Sequence, residues 1–503
     1  MKSKIHFVSL GCDKNLVDSE VMLTKLWEEG HSFTDDENEA EVIVVNTCCF
    51  IHDAKMESIE AILRLAEYKK SGRCKALIVT GCLSERYRNE IREEIPEIDA
   101  IIGVMAIAEI CKAVASLTED NCNVPCNMPC NEPCDNASCN TASCNNAPCN
   151  MPENGLHNSE CLSFFDENSD SGETGLKGKR IVTTGGQYAY LKIAEGCDKH
   201  CTYCIIPKIR GNYRSVTMEK LLTDSVNLAA GGVTELILVA QETTLYGLDL
   251  YGRKMLPELL RKLCEIEGLK WIRLLYCYPE EITDELIEVI RDEPKICNYL
   301  DIPIQHGADG ILKRMGRKTD RKQIIDLIIK LRREIPDICL RTTLMTGFPG
   351  ESQADHLESL SLIEEMKFDR LGVFTYSMEE DTPAALMPTQ IGQKIMDSRY
   401  HELMEKQQEI AFLTEKNMVG KTMKVVVEGR IAEFNNDGES ISISELAGNG
   451  EEKVFVARTY RDAPEIDGYL FIVNCEKDLI SGGFYDVAVT ASNHYDLIGE
   501  IKE

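Results

Sequence analysis

Residues 195–214 read EGCDKHCTYCIIPKIRGNYR, with cysteines at Cys197, Cys201 and Cys204. Thiolate sulfur binds iron strongly, and three thiolates separated by three and two residues can wrap one face of a cubane iron–sulfur cluster. The fourth iron then lacks a protein ligand. Because a cluster that only carries electrons is normally closed by a fourth thiolate, an open iron indicates that a small molecule binds there.

A structural zinc site is the plainer interpretation of the same cysteines, with His200 as the fourth ligand. Gly196, the aromatic Tyr203 and residues 205–210 favour the cluster, because together they resemble the cysteine loop of the radical S-adenosylmethionine (SAM) enzymes. In those enzymes the open iron chelates the amino and carboxylate groups of SAM. The resemblance therefore implies SAM as the small molecule.

The composition is typical of a globular protein with several domains. At 503 residues the chain is too long for one core and predicts about three domains. No apolar stretch approaches the roughly 20 residues that span a bilayer, and residues 1–15 lack the apolar run of a signal peptide. We therefore expect a cytoplasmic protein without a membrane segment, whose 22 cysteines serve metal or redox chemistry rather than a disulfide framework.

The formal net charge of −29 bears on the partner. An acidic surface repels phosphate backbones unless a local basic patch overrides it, and it attracts basic proteins. A basic protein substrate fits this charge better than nucleic acid, and direct RNA binding is disfavoured. The alternative is that the acidity only keeps the chain soluble.

Short apolar runs alternate with helical patterns through residues 1–118. The expected strands are 5–10, 42–45, 76–80 and 100–102, and the expected helices are 18–29, 53–68, 85–94 and 106–118. This alternation predicts an α/β domain with a doubly wound parallel sheet and right-handed crossovers.

One cysteine follows each of the first three expected strands: Cys12 in GCDKN, Cys48 in NTCCF and Cys82 in GCLSERY. The carboxyl ends of parallel strands meet at one crevice, so three thiolates there can hold a second cubane cluster with an open iron. The plainer alternative is that free cysteines are commonly buried small hydrophobes. Cys49 competes with Cys48, although its side chain is expected to point the other way along an extended backbone.

Residues 119–179 form a segment rich in Cys, Asn and Pro. Seven of its cysteines are spaced first four and then five residues apart, at Cys122, Cys126, Cys130, Cys134, Cys139, Cys144 and Cys149. With almost no large apolar residue the segment cannot bury a core, so we expect a disordered linker. The alternative is a soft-metal or sulfur-handling tail that feeds the clusters.

Six strand–helix units are expected between residues 180 and 417, which predicts a partial (β/α)6 barrel with its site at the carboxyl ends of the strands. The expected strands are 188–194, 235–240, 271–275, 299–303, 339–345 and 369–374, and the polar groups at their ends include Gln241, Glu242, Gln305, His306 and the turn 346–351. His306 fits a structural role equally well. Gly347 and Gly350 either shape a turn or, with Glu351, receive the amino-acid end of SAM.

Residues 418–503 contain short apolar runs separated by Gly, Asn and Asp, at 423–428, 440–444, 453–457, 468–472 and 485–490. This pattern predicts a small antiparallel β-barrel. From residue 419 onward the chain has 8 Lys and Arg against 16 Asp and Glu, a net charge of −8. An RNA-binding barrel usually has the opposite sign, so we expect this one to hold a basic protein.

Taken together, these stretches resemble the methylthiotransferase family over nearly the whole chain except the insert. The motifs are GCDKNLVDSE at 11–20, NTC at 46–48, GCLSERY at 81–87, the three-cysteine loop, FTYSMEEDTPAA at 374–385 and a terminal barrel of the type called TRAM. Three stretches are similar to the RimO branch: DIPIQHGADGILKRMGR at 301–317, RTTLMTGFPGE at 341–351 and RTYRDAPEIDGY at 458–469. That branch modifies an aspartate of the twelfth small-subunit ribosomal protein.

The resemblance implies two 4Fe-4S clusters and two SAM molecules. One cluster would carry sulfur on Cys12, Cys48 and Cys82, and the other would reduce SAM on Cys197, Cys201 and Cys204. One SAM methylates the sulfur, and the other yields the radical that takes hydrogen from the aspartate β-carbon. The candidate SAM contacts are Tyr203, Gln241, Gln305, Gly347 and Glu351. The implied partners are a low-potential electron donor such as flavodoxin or ferredoxin and a sulfur donor.

Two other functions stay open. The same chemistry on a tRNA adenosine is disfavoured by the acidic terminal barrel and by the stretch APEIDG at 463–468, since stacking on a base asks for exposed aromatic side chains over a basic surface. A noncatalytic iron–sulfur carrier or metal store accounts for the insert but not for a six-unit barrel with a SAM-type loop. Cleavage of SAM to deoxyadenosine separates a carrier from an enzyme.

Overall fold

The computed structural model describes residues 2–118, 161–165, 179–431 and 453–502. Most of the Cys-rich segment and the expected strand at 440–444 lie outside the described residues. None of the helices in the described ranges combines the length and the apolar character needed to cross a membrane.

The first domain is a parallel sheet with helices on both faces. Its strands are β1 (Lys4–Ser9), β2 (Ser32–Phe33), β3 (Val42–Thr47), β4 (Ala76–Gly81), β5 (Ala100–Ile102) and β6 (Leu162–Phe164), and its helices are α1 (Asp13–Glu28), α2 (His52–Ala66), α3 (Tyr68–Ser71), α4 (Cys82–Arg86), α5 (Arg88–Glu94) and α6 (Ile110–Thr118). The strand order is β2-β1-β3-β4-β5-β6. Val42 and Val44 face one apolar core with α1 and α6, whereas Ile43 and Val45 face the other with α2 and α5. The predicted doubly wound sheet is confirmed.

Two edge strands of this sheet were not expected. The sequence places residues 162–164 in the disordered insert, and this prediction is wrong for these three residues. They pair in parallel with β5, and Leu162 and Phe164 pack against one of the two cores of the sheet. An isolated run of three residues carries no detectable period, which is why its strand escapes a pattern search. The same holds for β2, which has two residues.

The central domain is an open barrel of six parallel strands. Its strands are β7 (Tyr188–Lys192), β10 (Glu235–Val239), β11 (Trp271–Leu274), β12 (Ile296–Asp301), β13 (Cys339–Thr346) and β14 (Arg370–Thr375), with a small ribbon of β8 (Ala194–Glu195) and β9 (Arg214–Ser215). The helices are α7 (Ile206–Arg210), α8 (Met218–Ala230), α9 (Leu248–Tyr251), α10 (Leu256–Cys264), α11 (Asp284–Asp292), α12 (Asp309–Arg314), α13 (Arg321–Glu334), α14 (Gln353–Met366) and α15 (Gln393–Lys416). The order β14-β13-β12-β11-β10-β7 confirms the predicted partial (β/α)6 barrel.

The first domain covers the carboxyl ends of the barrel strands, which we call the rim. Helix α1 packs against β7, and its Val17 enters the barrel interior beside Tyr190, Val239 and Leu275. Because these four apolar side chains are buried together, the first domain packs directly on the rim at this point.

The last domain is a closed five-stranded barrel, as predicted. Its strands are β15 (Thr422–Arg430), β16 (Lys453–Thr459), β17 (Leu470–Cys475), β18 (Phe484–Ser492) and β19 (Leu497–Ile501), in the closed order β15-β16-β17-β19-β18. All neighbours are antiparallel except β17 and β19, which run parallel. The sequence analysis did not find β19, because Gly499 and Glu500 interrupt its short apolar run.

The loop between β16 and β17 closes the other, amino-terminal end of the central barrel. We call residues 459–467 the docking loop. Arg458, just before it, donates to Glu235, the first residue of β10, at 2.7 Å, and Arg370, the first residue of β14, donates to Asp462 at 2.6 Å. All four side chains are buried. Residues 458–469, one of the three stretches similar to the RimO branch, therefore form an interface between the central and last domains.

Candidate functional site

A loop at the rim carries Cys197, Cys201 and Cys204, which we call the loop set. Strands β8 and β9 pair antiparallel on either side of this loop. Gly196 has a φ of 77°, and a Cβ on it would lie 2.0 Å from the Asn212 carbonyl oxygen. A glycine is therefore required where the loop begins.

The middle of this loop is fastened to the barrel through Thr202. Its N–H donates to the Met315 carbonyl oxygen at 2.9 Å, and its hydroxyl donates to the Arg314 carbonyl oxygen at 2.8 Å. Its own carbonyl oxygen accepts from the Ala384 N–H at 2.9 Å. Backbone contacts on both sides thus fix the position of the three cysteines before any metal binds.

The thiols of the loop set lie close enough to influence one another. Burial raises the pKa of the Cys197 thiol to about 11 and that of the Cys204 thiol to about 12, and the charge of the nearby Cys201 sulfur adds to both rises. The Tyr278 hydroxyl lies 3.9 Å from Cys201 Sγ. Metal binding has to displace the thiol protons, so assembly of a cluster here releases protons.

A single zinc ion fits this loop poorly. His200, the proposed fourth ligand, is exposed. Across the described ranges, no three His, Cys, Asp or Glu side chains converge on one metal-ion position. In a cubane each thiolate binds a different iron, so its cysteines need not converge on one point. The part of the chain that the structure describes therefore offers this loop no convergent fourth ligand for a zinc ion.

The second group of thiols, Cys12, Cys48 and Cys82, is here called the strand set. These cysteines follow β1, β3 and β4, which are neighbours in the sheet. The chain leaves β1 toward β2 on one side and β3 toward β4 on the other, so a crevice opens between β1 and β3 at this switch point. Burial raises the pKa of the Cys82 thiol to about 12, with contributions from the charges of Cys12 and Cys48. The three predicted cysteines therefore meet in one crevice.

Two glycines allow the three strand ends to approach. Gly11 has a φ of 93°, and a Cβ there would lie 2.7 Å from Cys48 Cβ. Gly81 has a φ of 96°, and its Cβ would lie 2.4 Å from both Asn46 Oδ1 and the Thr47 carbonyl oxygen. Any side chain at either position would push neighbouring loops apart.

Cys49 shares an apolar core with Cys82. Its side chain is fully buried in the apolar core with Ile62 and Leu83, and burial raises the pKa of its thiol to about 12. Cys48, in contrast, exchanges backbone hydrogen bonds with the Ser58 hydroxyl, at 3.0 Å to its N–H and 2.8 Å to its carbonyl oxygen. The packing favours Cys48 over Cys49 as the ligand.

Arg210 of α7 joins the two sets. One of its terminal nitrogens donates to both oxygens of Glu195 at 2.9 Å and to Asp18 at 3.2 Å. The other donates to Asn15 Oδ1 at 2.6 Å and lies 3.6 Å from Cys82 Sγ. Arg210 is 2% exposed, so solvent screens these charges little. A single buried cation therefore connects a thiol of the strand set with the residue that opens the cysteine loop.

Polar atoms without partners lie beside the loop set. Gln241 Nε2 donates to Glu195 Oε1 at 3.0 Å, while its own Oε1 finds no hydrogen-bond partner among the described residues. Arg317 lies over the Tyr278 ring at 4.3 Å, and its Nε and one terminal nitrogen are likewise unpartnered within the described ranges. Tyr203 packs against the apolar cluster at the rim. These buried donors and acceptors fit a polar ligand.

The turn at 346–351 holds Glu351 inside its own network. The Glu351 carboxylate accepts from the Gly347 N–H and lies 3.4 Å from Arg399 and 3.6 Å from His306 Nε2. His306 Nδ1 accepts from the Ala308 N–H at 2.9 Å. These contacts favour the structural interpretation of His306. The backbone of the turn is also engaged within the protein, since Arg314 donates to the Pro349 and Gly350 carbonyl oxygens and Arg399 donates to that of Glu351.

Gln305 lies at the rim in a left-handed backbone conformation, with a φ of 77°. Its N–H donates to the Thr343 carbonyl oxygen at 2.8 Å, and its carbonyl oxygen accepts from the Met345 N–H at 2.7 Å. Both hydrogen bonds go to β13, so the neighbouring strand holds a conformation that costs a glutamine about 1 kcal/mol. Such strain is common at functional positions.

Three known families match successive parts of the chain. Residues 4–103 match a family described as Uncharacterized protein family UPF0004, residues 191–363 match the Radical SAM superfamily, and residues 419–501 match the TRAM domain. The matches fall on the first, central and last domains of the structure.

Full-length relatives decide the family. Ribosomal protein uS12 methylthiotransferase RimO of Lachnoclostridium phytofermentans is 53% identical over 99% of this chain and 99% of its own length. Proteins of the same name from Clostridium botulinum strain Hall and Clostridium kluyveri are 44% and 42% identical, over 99% and 100% of this chain and 98% and 99% of their own. The chain belongs to the RimO family.

A solved structure resembles this RimO family member in fold. It is the radical SAM methyltransferase TsrM from Kitasatospora setae with tryptophan substrate and a SAM analog, at a TM-score of 0.52 and 12% identity, covering 82% of this chain and 90% of that chain. At this identity the likeness concerns the arrangement of the domains and strands only.

Two functional candidates of this RimO family member escape sequence reasoning, Arg210 and Lys14. Both lie inside motifs that the sequence analysis quotes. The sequence pattern, however, does not distinguish them from ordinary solvent-exposed lysines and arginines. Their partners lie in the other domain: Arg210 donates to Asp18, and the Lys14 ammonium lies 3.4 Å from the centre of the Tyr276 ring. Only the docking of the first domain on the rim reveals them.

Proposed function

We propose that this chain adds a methylthio group to the β-carbon of an aspartate in ribosomal protein uS12. The RimO relatives carry that substrate and that transferred group in their names. Membership of their family, the match to the Radical SAM superfamily and the full-length identity support the same reaction here.

One observation carries the proposal: a single buried cation connects the two cysteine sets. Arg210 lies 3.6 Å from Cys82 Sγ and donates at 2.9 Å to Glu195, which stands two residues before Cys197. A reaction that activates a carbon at one metal site and delivers sulfur from another needs this proximity.

The donor sets fit the cofactors that the Radical SAM superfamily implies. Soft thiolates suit iron–sulfur clusters, and the unpartnered atoms of Gln241 and Arg317 suit the amino-acid end of SAM. The loop set would hold the 4Fe-4S cluster that meets SAM, and the strand set would hold the second 4Fe-4S cluster. When bound, the first cluster supplies the electron that activates SAM and the second supplies the sulfur.

The protein's own side chains position and shield these groups. Val17 and its apolar neighbours close one side of the space, which keeps water from the reacting carbon. Arg210 balances the charges of Glu195 and Asp18 and lies against Cys82. We assign the SAM contacts to Tyr203 and Gln241 beside the loop set, and to Gln305, Gly347 and Glu351 along the rim.

The substrate protein is held, in this proposal, by the acidic last domain. Its net charge of −8 attracts a basic ribosomal protein and repels RNA. The reaction also requires a low-potential electron donor such as flavodoxin or ferredoxin and a sulfur donor that refills the second cluster. All three partners place the protein in the cytoplasm.

The test is anaerobic turnover of the reconstituted protein with SAM and dithionite. Purified uS12 and bulk tRNA are offered in parallel, and both are analysed by mass spectrometry. We expect a methylthio mass gain on one aspartate of uS12, deoxyadenosine as a second product, and neither in a Cys197→Ala variant.

A mass gain on tRNA instead of uS12 would move the chain to RNA modification with its cluster chemistry unchanged. Iron binding without any cleavage of SAM would support a noncatalytic carrier. Either result contradicts the proposal.

A further inference from the structure

A buried lysine lies where the first domain meets the rim. Lys14 follows Cys12 by two residues, at the start of α1, and is 7% exposed. Its ammonium lies 2.9 Å from Asp13 Oδ1 and 3.4 Å from the centre of the Tyr276 ring. Tyr276 follows β11 at the rim. The lysine therefore stands between a cysteine of the strand set and the mouth of the barrel.

Two other cations near the strand set are already committed. Arg210 donates to two carboxylates, an amide oxygen and a thiol. Lys192 lies between Asp18 and Glu195. Lys14 has a single carboxylate neighbour within the described ranges, and one face of its ammonium is turned to an aromatic ring rather than to an anion. It therefore retains capacity for a second carboxylate.

Asp13 adds an independent sign of a missing ligand. Its side chain is 7% exposed, and Oδ1 accepts from the Tyr276 hydroxyl at 3.3 Å. Its second oxygen, Oδ2, is buried and finds no hydrogen-bond partner within the described part of the chain. A buried carboxylate oxygen without a donor costs free energy, which a ligand that brings an N–H recovers.

The pair offers a cation and an acceptor side by side. An aspartate residue in a peptide carries the complementary groups, a side-chain carboxylate and a nearby backbone N–H. We propose that Lys14 binds the side-chain carboxylate of the substrate aspartate and that Asp13 Oδ2 accepts its backbone N–H. This assignment rests on the proposed function and names the residues that select and orient the amino acid to be modified.

Such a contact explains how the reacting carbon is presented. Holding the carboxylate at Lys14 leaves the β-carbon one bond away, facing the space between the loop set and the strand set. A charge-assisted hydrogen bond in a buried site is strong and directional, so it fixes the residue as well as binding it. An asparagine offers no negative charge to Lys14 and binds more weakly.

The test measures selection of aspartate over asparagine. Full-length uS12 with the target Asp or with Asn in its place is titrated against the reconstituted enzyme without reductant, and binding is followed by fluorescence anisotropy. We expect the native enzyme to prefer Asp by about 10- to 100-fold, the range of one charged hydrogen bond. Lys14→Gln should abolish the preference, and Lys14→Arg should keep most of it.

Lys25→Gln is the matched control, since it removes a lysine from the last turn of the same helix. It should leave the preference unchanged. Iron content and deoxyadenosine formation without uS12 are measured for every variant, and both should stay at the native level in Lys25→Gln.

A Lys14→Gln enzyme that still prefers Asp overturns the assignment. So does loss of iron in both Lys14 variants, which would show that the lysine supports the cysteine loop instead. Failure of the proposed function looks different, because the native enzyme itself would then form no methylthio product on uS12.

Discussion

The loop set and the strand set are positioned in opposite ways, the first by local and the second by long-range structure. The loop set lies in one short segment whose position is fixed by β8, β9 and the hydrogen bonds of Thr202. The strand set is assembled from the ends of β1, β3 and β4, and depends on the sheet being in register. A site held in one short segment tolerates changes elsewhere in the fold. A site assembled from several strand ends is disturbed by a change at any of them.

The two sets also differ in their charges. Near the loop set, Lys199 lies among Glu242, Glu280 and Glu281, at 3.7, 3.1 and 2.5 Å. Near the strand set, Arg210 lies directly against a thiol at 3.6 Å. A cation in contact with sulfur stabilises added negative charge there, so the strand set should hold the more easily reduced of two otherwise equal clusters.

Removing one cysteine from each set gives the largest expected effect and separates their roles. Cys201→Ala should abolish SAM cleavage and methylthio transfer, while Cys82→Ala should abolish transfer but keep SAM cleavage. Each variant should retain about half of the iron, since each set holds one cluster. Iron analysis and deoxyadenosine quantification check this. Loss of all iron in either variant would show that the sets do not assemble independently.

Gly81→Ala tests the dependence of the strand set on close approach. The new Cβ would lie 2.4 Å from two atoms at the end of β3, in a backbone conformation that favours glycine. We expect a loss of more than about 4 kcal/mol of stability or displacement of Cys82, with iron lost from the strand set only. Gly310→Ala is the control, because its Cβ meets nothing within 4 Å. Equal iron content in both variants contradicts the idea.

Arg210→Gln tests the charge difference between the sets. Removing the cation beside Cys82 should lower the reduction potential of the strand-set cluster by on the order of 100 mV. The measurement is a redox titration followed by electron paramagnetic resonance, in protein that also carries Cys201→Ala so that one cluster remains. Lys208→Gln removes an exposed charge from the same helix and should shift the potential little. Equal shifts of the reduction potential in both variants would show that Arg210 does not tune the strand-set cluster.

Glu242→Gln tests the surroundings of the loop set and has the smallest expected effect. Burial raises the pKa of the Glu242 carboxyl to about 7, against the opposing effect of Lys199. Because the folded pKa lies above the unfolded value, this group's contribution to stability is full below about pH 4.5 and falls as the pH rises toward about 7, by at most about 3 kcal/mol.

The glutamine variant should therefore lose less stability than the native chain between about pH 5 and pH 8. Thermal unfolding of the metal-free protein across that range measures the difference. Glu219→Gln, an exposed glutamate on α8, is the control and should follow the native profile. Parallel profiles for Glu242→Gln and the native chain would show that Glu242 does not titrate in this range.

The same comparison explains which parts of the site could be predicted from the sequence. The loop set is visible as spacing, and the strand set follows from three cysteines that each come after an apolar run. Lys14, Arg210 and the docking loop could not be predicted, because their partners belong to other domains and pairing across a domain boundary leaves no period in the chain. The strand β19 was missed for a local reason, since polar residues interrupt its apolar run.

The position of the docking loop in the chain determines when the base of the central barrel can close during synthesis. Glu235 and Arg370 lie at the base of the central barrel, but their partners Arg458 and Asp462 come near the end of the chain. During synthesis the barrel strands leave the ribosome long before the residues that close their base. Until then these buried charges face water, and the barrel is open at that end. A chain that ended before residue 458 would carry both cysteine sets and still lack the side chains that pair with Glu235 and Arg370 at the base of the barrel.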